Sequence, residues 1–536
     1  MVMLKKENRI VLAILMLLLM IGCRNPKQEE QDLMRIKSAD KDNPKKVILL
    51  LVDSLMPEAI DRGIRQHKLP AIEFLIEHGQ YYRELVSSFP TMSVTIDSSL
   101  ITGKYPDDHH VPGLTWYSAG LKKLINYGTG PMEVARQGIN PVLADALIHL
   151  NGSHLNSKLP TIYEDLAGQG LTSGSINGLI YRGMSNHTIS IPAWVQGPTS
   201  LPREIKVKGP DLLALGSLSN PFEGSIDLPD GLFNKMGFNN DFAVEAVKYL
   251  ITSNKLPDFL YVYLPDLDRK LHRNGPSEQN GVIKVDQQLQ SLLQAFGSPE
   301  QALKDAVIII AGDSGMTQIL PDAQNPVINI HNMFEDASVL NPGETVDKGI
   351  DIVLAVNETM AYVYAVHADR PIRDVAKGLQ KDPRIDLIAW KEEGWIYAQQ
   401  GATAKQLRFK ADGDLTDPYH QSWKVEQDNE VLDLKVNAAD HSLAYGEYPD
   451  VLKRLSGALN SHQGEFLVVT TKPGYELADR SSPTHIGGGG HGSIRKRESL
   501  VPLIISGTKK QPQYLRMVDL KAYLLELLKK KTQINH

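Results

Sequence analysis

The chain has 536 residues, 42% of them apolar and 7% aromatic, with a formal charge of −6. This length exceeds one simple hydrophobic core, so a large domain with a substantial insertion, or two domains, is expected. The acidic balance gives no broad electrostatic reason for a nucleic-acid partner, and nothing in it implies a protein partner. The single cysteine, Cys23, excludes intramolecular disulfides and thiolate metal ligands from the rest of the chain.

Residues 1–23 read as a targeting segment. Lys5, Lys6 and Arg9 make a basic start, Ile10 to Ile21 an unbroken apolar run of 12, and Gly22-Cys23 closes it. The run is short for a bilayer span and suits a secretory leader. Cys23 stands where a bacterial lipoprotein is cleaved and acylated, and an uncleaved anchor would also leave the body outside the membrane. The expected location is extracytoplasmic, tethered to a bacterial cell membrane by lipid on Cys23. Residues 24–44 are polar and charged, as a flexible tether would be.

The fold is expected to begin at Lys46–Ser54, KVILLLVDS, a continuous apolar run of the kind buried in a parallel sheet. Asp53 falls at its carboxyl end, where open α/β sheets gather ligands; a strand-terminal Asp can equally cap the next helix. Helices are predicted at 70–78 and 160–168, a strand at 172–177, a helix at 241–253 and buried strands at 258–264 and 306–311. The last strand also releases an acid, Asp313. These strands predict a doubly wound, mostly parallel α/β sheet with helices on both faces and acids at its rim.

From about 345 the pattern changes. Residues 351–365 and 387–397 are strand-like and 371–382 helix-like, which predicts a small α+β insertion over 345–440 that shapes the site entrance. The core then spans 45–344 and 441–536, with its sheet resuming at Glu465–Thr470 and Leu500–Ser506 before a helix at 518–528.

Three stretches carry chemistry. Ser87 to Gly113 crowds hydroxyl residues, including Thr91, Ser93 and Thr95, around a Pro and an Asp, and closes on Thr102-Gly-Lys-Tyr-Pro. A hydroxyl at a helix start can act as a nucleophile, because that end favours an arriving anion; a capping loop has the same composition. Asp268 and His272 are four apart after the 258–264 strand, so one helical face would present both to a metal, or simply pair them at the surface. Finally His485 and His491 bracket a run of four glycines. Such a run permits close backbone approach, or serves as a hinge.

In combination these residues resemble the alkaline phosphatase superfamily, and within it the type I phosphodiesterase and nucleotide pyrophosphatase branch. The likeness follows the order strand-Asp, Pro-Thr-x-nucleophile, Thr-Gly-x-Tyr-Pro, Asp-x-x-x-His, Asp-x-Gly-Met and Gly-His-Gly. It covers about 45–320 and 460–510. The resemblance implies a nucleophile at Ser93, with Thr91 and Thr95 as fallbacks. It also implies two divalent metal ions, Zn²⁺ by preference: Asp268, His272 and His491 would hold one, and Asp53, Asp313 and Ser93 the other. Ser93 would attack a phosphoryl group in line to give a phosphoseryl intermediate that hydroxide then releases.

Two departures stand out. The family follows the fourth acid with a histidine ligand, whereas Asp313 is followed by Ser314. The second position would then recruit His331, take a harder ion such as Mn²⁺ or Mg²⁺, or stay empty; Asp266 and His485 are further substitutes. Leu114 stands where nucleotide pyrophosphatases carry an Asn that steadies a phosphate oxygen, so Trp116 and Tyr117 could line another pocket. The expected activity is metal-dependent hydrolysis of phosphoric esters, diesters slightly before monoesters. An envelope phosphotransferase and a noncatalytic substrate-binding lipoprotein are the alternatives, the latter resting on Ser314.

Overall fold

The computed structural model describes residues 45–128, 138–197, 199–367 and 370–529. The expected leader, Cys23 and the tether lie outside the described residues. The central strand, Lys46–Val52, has every residue from Val47 to Val52 buried. It pairs in parallel with Phe259–Leu264 on one side and Ala306–Gly312 on the other. Its alternate side chains enter two cores: Ile48, Leu50 and Val52 pack with the helices at Asn240–Thr252 and Asn280–Ala295, while Val47, Leu49 and Leu51 face the helices at Ser93–Thr102 and Leu520–Leu528. Burial on both faces is why the run is apolar throughout. Each such side chain contributes about 1.5–3 kcal/mol of burial free energy.

The sheet has seven strands. Ser173–Ile176 and Leu212–Ala214 extend it in parallel beyond Phe259–Leu264. On the other edge Leu500–Ser506 joins antiparallel to Ala306–Gly312, and Gly79–Val86 antiparallel to it. The doubly wound, mostly parallel α/β arrangement is therefore present, with one antiparallel edge. The predicted helices stand at Pro70–Glu77, Ile162–Gly168, Asn240–Thr252 and Leu520–Leu528. A capping box of Thr161 and Glu164 opens the second.

Residues 352–471 build a nine-stranded second sheet, larger than the small insertion expected. The 351–365 run is a hairpin, Ile352–Asn357 with Met360–Ala365, turning at Glu358-Thr359, where Glu358 has φ +58°. The 387–397 run is likewise part of a hairpin, Ile385–Glu392 with Trp395–Gln400. One strand assignment needs correction. Glu465–Thr471 does not return to the main sheet but lies between Met360–Ala365 and Ile385–Glu392 in the second. It is buried from Phe466 onward, one face in each of two cores. A buried antiparallel strand reads like a buried parallel one, because periodicity reports burial and not partner.

Candidate metal centre

The central strand and its neighbours end level with one another: Val52 pairs with both Leu264 and Gly312. Asp53 and Asp313 follow directly, and Pro265 leads into the helix Asp266–Asn274, which carries Asp268. Asp53 is therefore a rim residue and not a helix cap; the next helix, Pro57–Arg65, has no side-chain cap. The amide of Ser54 donates to Asp313 Oδ1 (2.8 Å), and its hydroxyl donates to Asp268 Oδ1 (2.8 Å) and lies 3.1 Å from Ser314 Oγ. Ser54 thus ties the two acids together from a left-handed backbone, φ +56°.

Asp268 and His272 do share a helical face, with Nε2 and Oδ1 3.1 Å apart. His491 Nε2 reaches the same oxygen at 3.6 Å. Asp268, His272 and His491 can hold a metal ion. The outward nitrogens are anchored to backbone: His272 Nδ1 lies 2.8 Å from Gly489 O, and His491 Nδ1 lies 2.6 Å from Thr91 O. A carbonyl only accepts, so each Nδ1 carries a proton and both Nε2 atoms face Asp268 Oδ1. Charge agrees. Burial opposes an imidazolium, yet Asp268 and Glu358 hold His272 up at about 9, and Glu358 and Asp268 raise His491 above the usual range. The pocket favours positive charge at Nε2, of the kind a proton or a divalent ion would bring.

The glycine run is the close approach the spacing allows. A Cβ on Gly488 would stand 1.8 Å from His272 O, and one on Gly489 2.2 Å from Met316 Sδ. Only bare backbone can lie against the His272 helix here.

Ser93 opens the helix Ser93–Thr102, and its hydroxyl lies 3.4 Å from Asp53 Oδ1. Gly103, at φ +70°, ends that helix in the left-handed conformation glycine tolerates. Thr91 is committed elsewhere: its hydroxyl accepts from Gly492 N (2.8 Å) and its carbonyl holds His491. Thr95 is buried with its hydroxyl unpaired. Of the three hydroxyls, Ser93 is the one at the acids. Burial raises Asp53 and Asp313 above the ordinary carboxylate range, and nearby acids add to it. Asp313 Oδ2 is buried without a hydrogen-bond partner. A cation between these oxygens would relieve both.

Other residues from the sequence fall as follows. Ser314 is buried beside Ser54, and its amide donates to Asp313 Oδ1 (2.6 Å). His331 is not brought in; it sits in the turn Ile330–Phe334 with Arg480 and Asp479 as its charged neighbours. Asp266 pairs with Lys235 and caps Asn240 N. His485 stands by His272 with ring centroids 4.3 Å apart, bonded to Glu476 and not near the Asp53 side. Leu114 is half-buried against the core, and its amide donates to Asn357 Oδ1. Tyr117 lines a cavity of about 580 Å³ with Tyr364, Lys122 and Lys348.

Besides Ser54, three contributors carried no sequence signal. Tyr263 donates its hydroxyl to Asp53 Oδ2. Glu358, from the second-sheet hairpin, faces His272 Nε2 at 3.7 Å and accepts from His491 N at 3.0 Å. Buried Glu498 accepts from Thr317, Thr359 and Ser493 N, which locks the His491 loop to that hairpin.

A parallel sheet with acids at its carboxyl rim, a histidine pair and a helix-terminal hydroxyl defines a class, the alkaline phosphatase-like hydrolases. The chain belongs to the type I phosphodiesterase / nucleotide pyrophosphatase family, whose profile matches residues 47–494, and it is a phosphoester hydrolase. Among solved structures, an inactive form of murine ectonucleotide pyrophosphatase/phosphodiesterase 5 in complex with AMP superposes with a TM-score of 0.52 at 14% identity, covering 91% of this chain and 96% of that one. A second structure of the murine protein gives 0.51 and the human protein 0.52, with the same identity and coverage. At this identity the likeness is one of fold. No curated protein matches the chain.

Proposed function

We propose that this hydrolase cleaves phosphoric esters, diesters before monoesters, with Ser93 as nucleophile and two divalent cations, at a bacterial cell surface to which lipid on Cys23 anchors it. The observation that carries the reading is the Ser93 hydroxyl, on the first residue of a buried helix and 3.4 Å from Asp53. Asp268, His272 and His491 hold zinc, suited to imidazole. Asp53, Asp313 and Ser93, with Ser314 beside them, offer oxygen alone and suit Mn²⁺ or Mg²⁺. Bound cations supply Lewis acidity at the phosphoryl oxygens and lower the pKa of the hydroxyl.

The chain's own residues do the rest. The amides of the helix's first turn favour the incoming anion. Ser93, aimed by its hydrogen bond to Asp53 Oδ1, loses its proton to solvent; Oγ then attacks phosphorus and the bond to the leaving oxygen breaks. Tyr263 holds Asp53 by its other oxygen. Water then cleaves the phosphoseryl ester and frees Ser93.

The test is nitrophenol release by the purified full chain from bis-p-nitrophenyl phosphate and p-nitrophenyl phosphate. Chelation is expected to stop release and added metal to restore it. Ser93→Ala is expected to lose at least about 10³-fold in kcat. Turnover by Ser93→Ala at the wild-type rate would refute the assignment.

A further inference from the structure

Ser54 is fully buried and stands in the left-handed region at φ +56°, a backbone that a residue with a Cβ adopts at a cost. Three bonds hold it there. Its amide donates to Asp313 Oδ1 (2.8 Å), its hydroxyl lies 2.8 Å from Asp268 Oδ1, and the same hydroxyl lies 3.1 Å from Ser314 Oγ. A carboxylate only accepts, so the single hydroxyl proton of Ser54 goes to Asp268. The Ser314 hydroxyl is therefore the donor of the serine pair, and the chain of bonds runs from Ser314 to Ser54 to Asp268.

Asp313 is bound into the same chain. Its Oδ1 accepts the amides of Ser54 and Ser314, while its Oδ2 is buried without a partner. Ser54 thus steadies Asp268 beside the two imidazoles and Asp313 with its second oxygen free for a cation. Strain at a buried residue that touches both acids points to a role in building the site. Space points the same way. A histidine in the rotamer of Ser314 would put Cγ where Oγ now stands, 3.1 Å from Ser54 Oγ, with the ring still to be accommodated. Both serines are fully buried, so neither side chain gives way into solvent.

We propose that Ser54 is the positioning residue that selects the metal at the second position: its hydroxyl fixes Asp268 for the first cation and, paired with Ser314, closes the second position to imidazole. The proposal rests on the two-cation reading above. The donors left at the second position, Asp53, Asp313 and Ser93, offer oxygen alone and favour Mn²⁺ or Mg²⁺ over Zn²⁺. Serine at 314, where the family has histidine, is then one half of a matched pair. Restoring histidine there restores nothing by itself, because Ser54 stands in the path of the ring.

The experiment counts tightly held zinc by elemental analysis after the full chain is stripped, reloaded and dialysed, and follows Co²⁺ titrations by visible absorption. Wild type and Ser314→His are each expected to keep about one zinc. Ser54→Gly suits the left-handed backbone and is expected to keep about one as well, with Co²⁺ held about 10-fold more weakly because Asp268 loses its bond. Ser54→Gly combined with Ser314→His is expected to keep about two. Thermal unfolding of each metal-free variant shows which are folded.

A second zinc in Ser314→His alone overturns the exclusion, and one zinc in the folded double variant overturns selection by the pair. Co²⁺ affinity in Ser54→Gly within about twofold of wild type overturns the hold on Asp268. Should the double variant not fold, the two single variants still decide, each by its own outcome. Two equally tight zincs in the wild type refute the oxygen-only second position and the proposal with it. The expected zinc counts without turnover of either nitrophenyl ester leave the proposal standing and overturn the two-cation hydrolysis.

Discussion

Replacing Arg454 tests whether the site is held from behind by a helix packed on the second sheet. Arg454 lies on the helix Val451–Leu459 and is fully buried. Its guanidinium donates to Ser88 O (3.0 Å), Ser499 Oγ (2.8 Å), Pro449 O (3.1 Å) and Ile494 O (3.2 Å). One side chain thus ties the segment before Ser93 to the segment after His491. Burial lowers its pKa to about 10, so it remains charged at neutral pH. Each charged hydrogen bond contributes about 1.5–3 kcal/mol, or roughly 6–12 kcal/mol for this set. Keeping the charge out of water costs several kcal/mol. Removing the side chain also strands buried carbonyls, so Arg454→Ala is expected to lose about 3–5 kcal/mol. The assay is urea unfolding followed by tryptophan fluorescence, with nitrophenyl ester turnover measured below the transition. Arg454→Met fills the space without the donors and should remain destabilised. Stability within about 1 kcal/mol of wild type for both variants would refute the reasoning.

Other outcomes follow from the same structure. Asp97 accepts from Tyr261 and from the amides of Leu179 and Ile180, yet burial raises it to about 7. Between pH 4 and 7 the unfolded chain gives up this proton and the native one keeps it. Stability should therefore fall as pH rises through that window, by up to about 1.4 kcal/mol per unit, and level off above 7. Asp97→Asn should flatten this fall in unfolding curves collected across the window; an unchanged slope places the proton elsewhere. Stripped protein reloaded with Zn²⁺ alone should retain about one tightly held zinc per chain, because of the two positions proposed above only that of Asp268, His272 and His491 contains imidazole. Adding Mn²⁺ or Mg²⁺ should then raise turnover, as elemental analysis and rate measurements would show. Two equally tight zincs would contradict an oxygen-only second position.

The three central strands of the main sheet were legible because they are buried on both faces and an acid follows each within two residues, Asp53, Asp266 and Asp313. Lys46–Val52, Phe259–Leu264 and Ala306–Gly312 read the same in sequence and in space. The convergence of Asp268, His272 and His491 was legible too, since helical spacing and a glycine run each have a physical consequence. Glu358 and Ser54 were not. Both act from left-handed positions, and a glutamate or serine there looks like any surface turn until its neighbours are known. Glu465–Thr471 was misplaced because an apolar strand does not announce which sheet it enters. His331 offered an imidazole near the departure at Ser314 in sequence, but the charged groups around it are Arg480 and Asp479.

The hairpin turn at Glu358 has an implication for how this protein can vary. Because Glu358 meets His272 and Thr359 holds the His491 loop through Glu498, the outer sheet cannot be pared away as decoration. A shortened core would lose the acid and the latch together. Shifting the turn by a single residue would exchange the positions of glutamate and threonine. Loops at the far end of the outer sheet, such as the tip between Gln406–Thr416 and Ser422–Gln427, are under no such constraint from the metal ligands. Length changes should accumulate there while the four-residue tip Asn357–Met360 stays fixed.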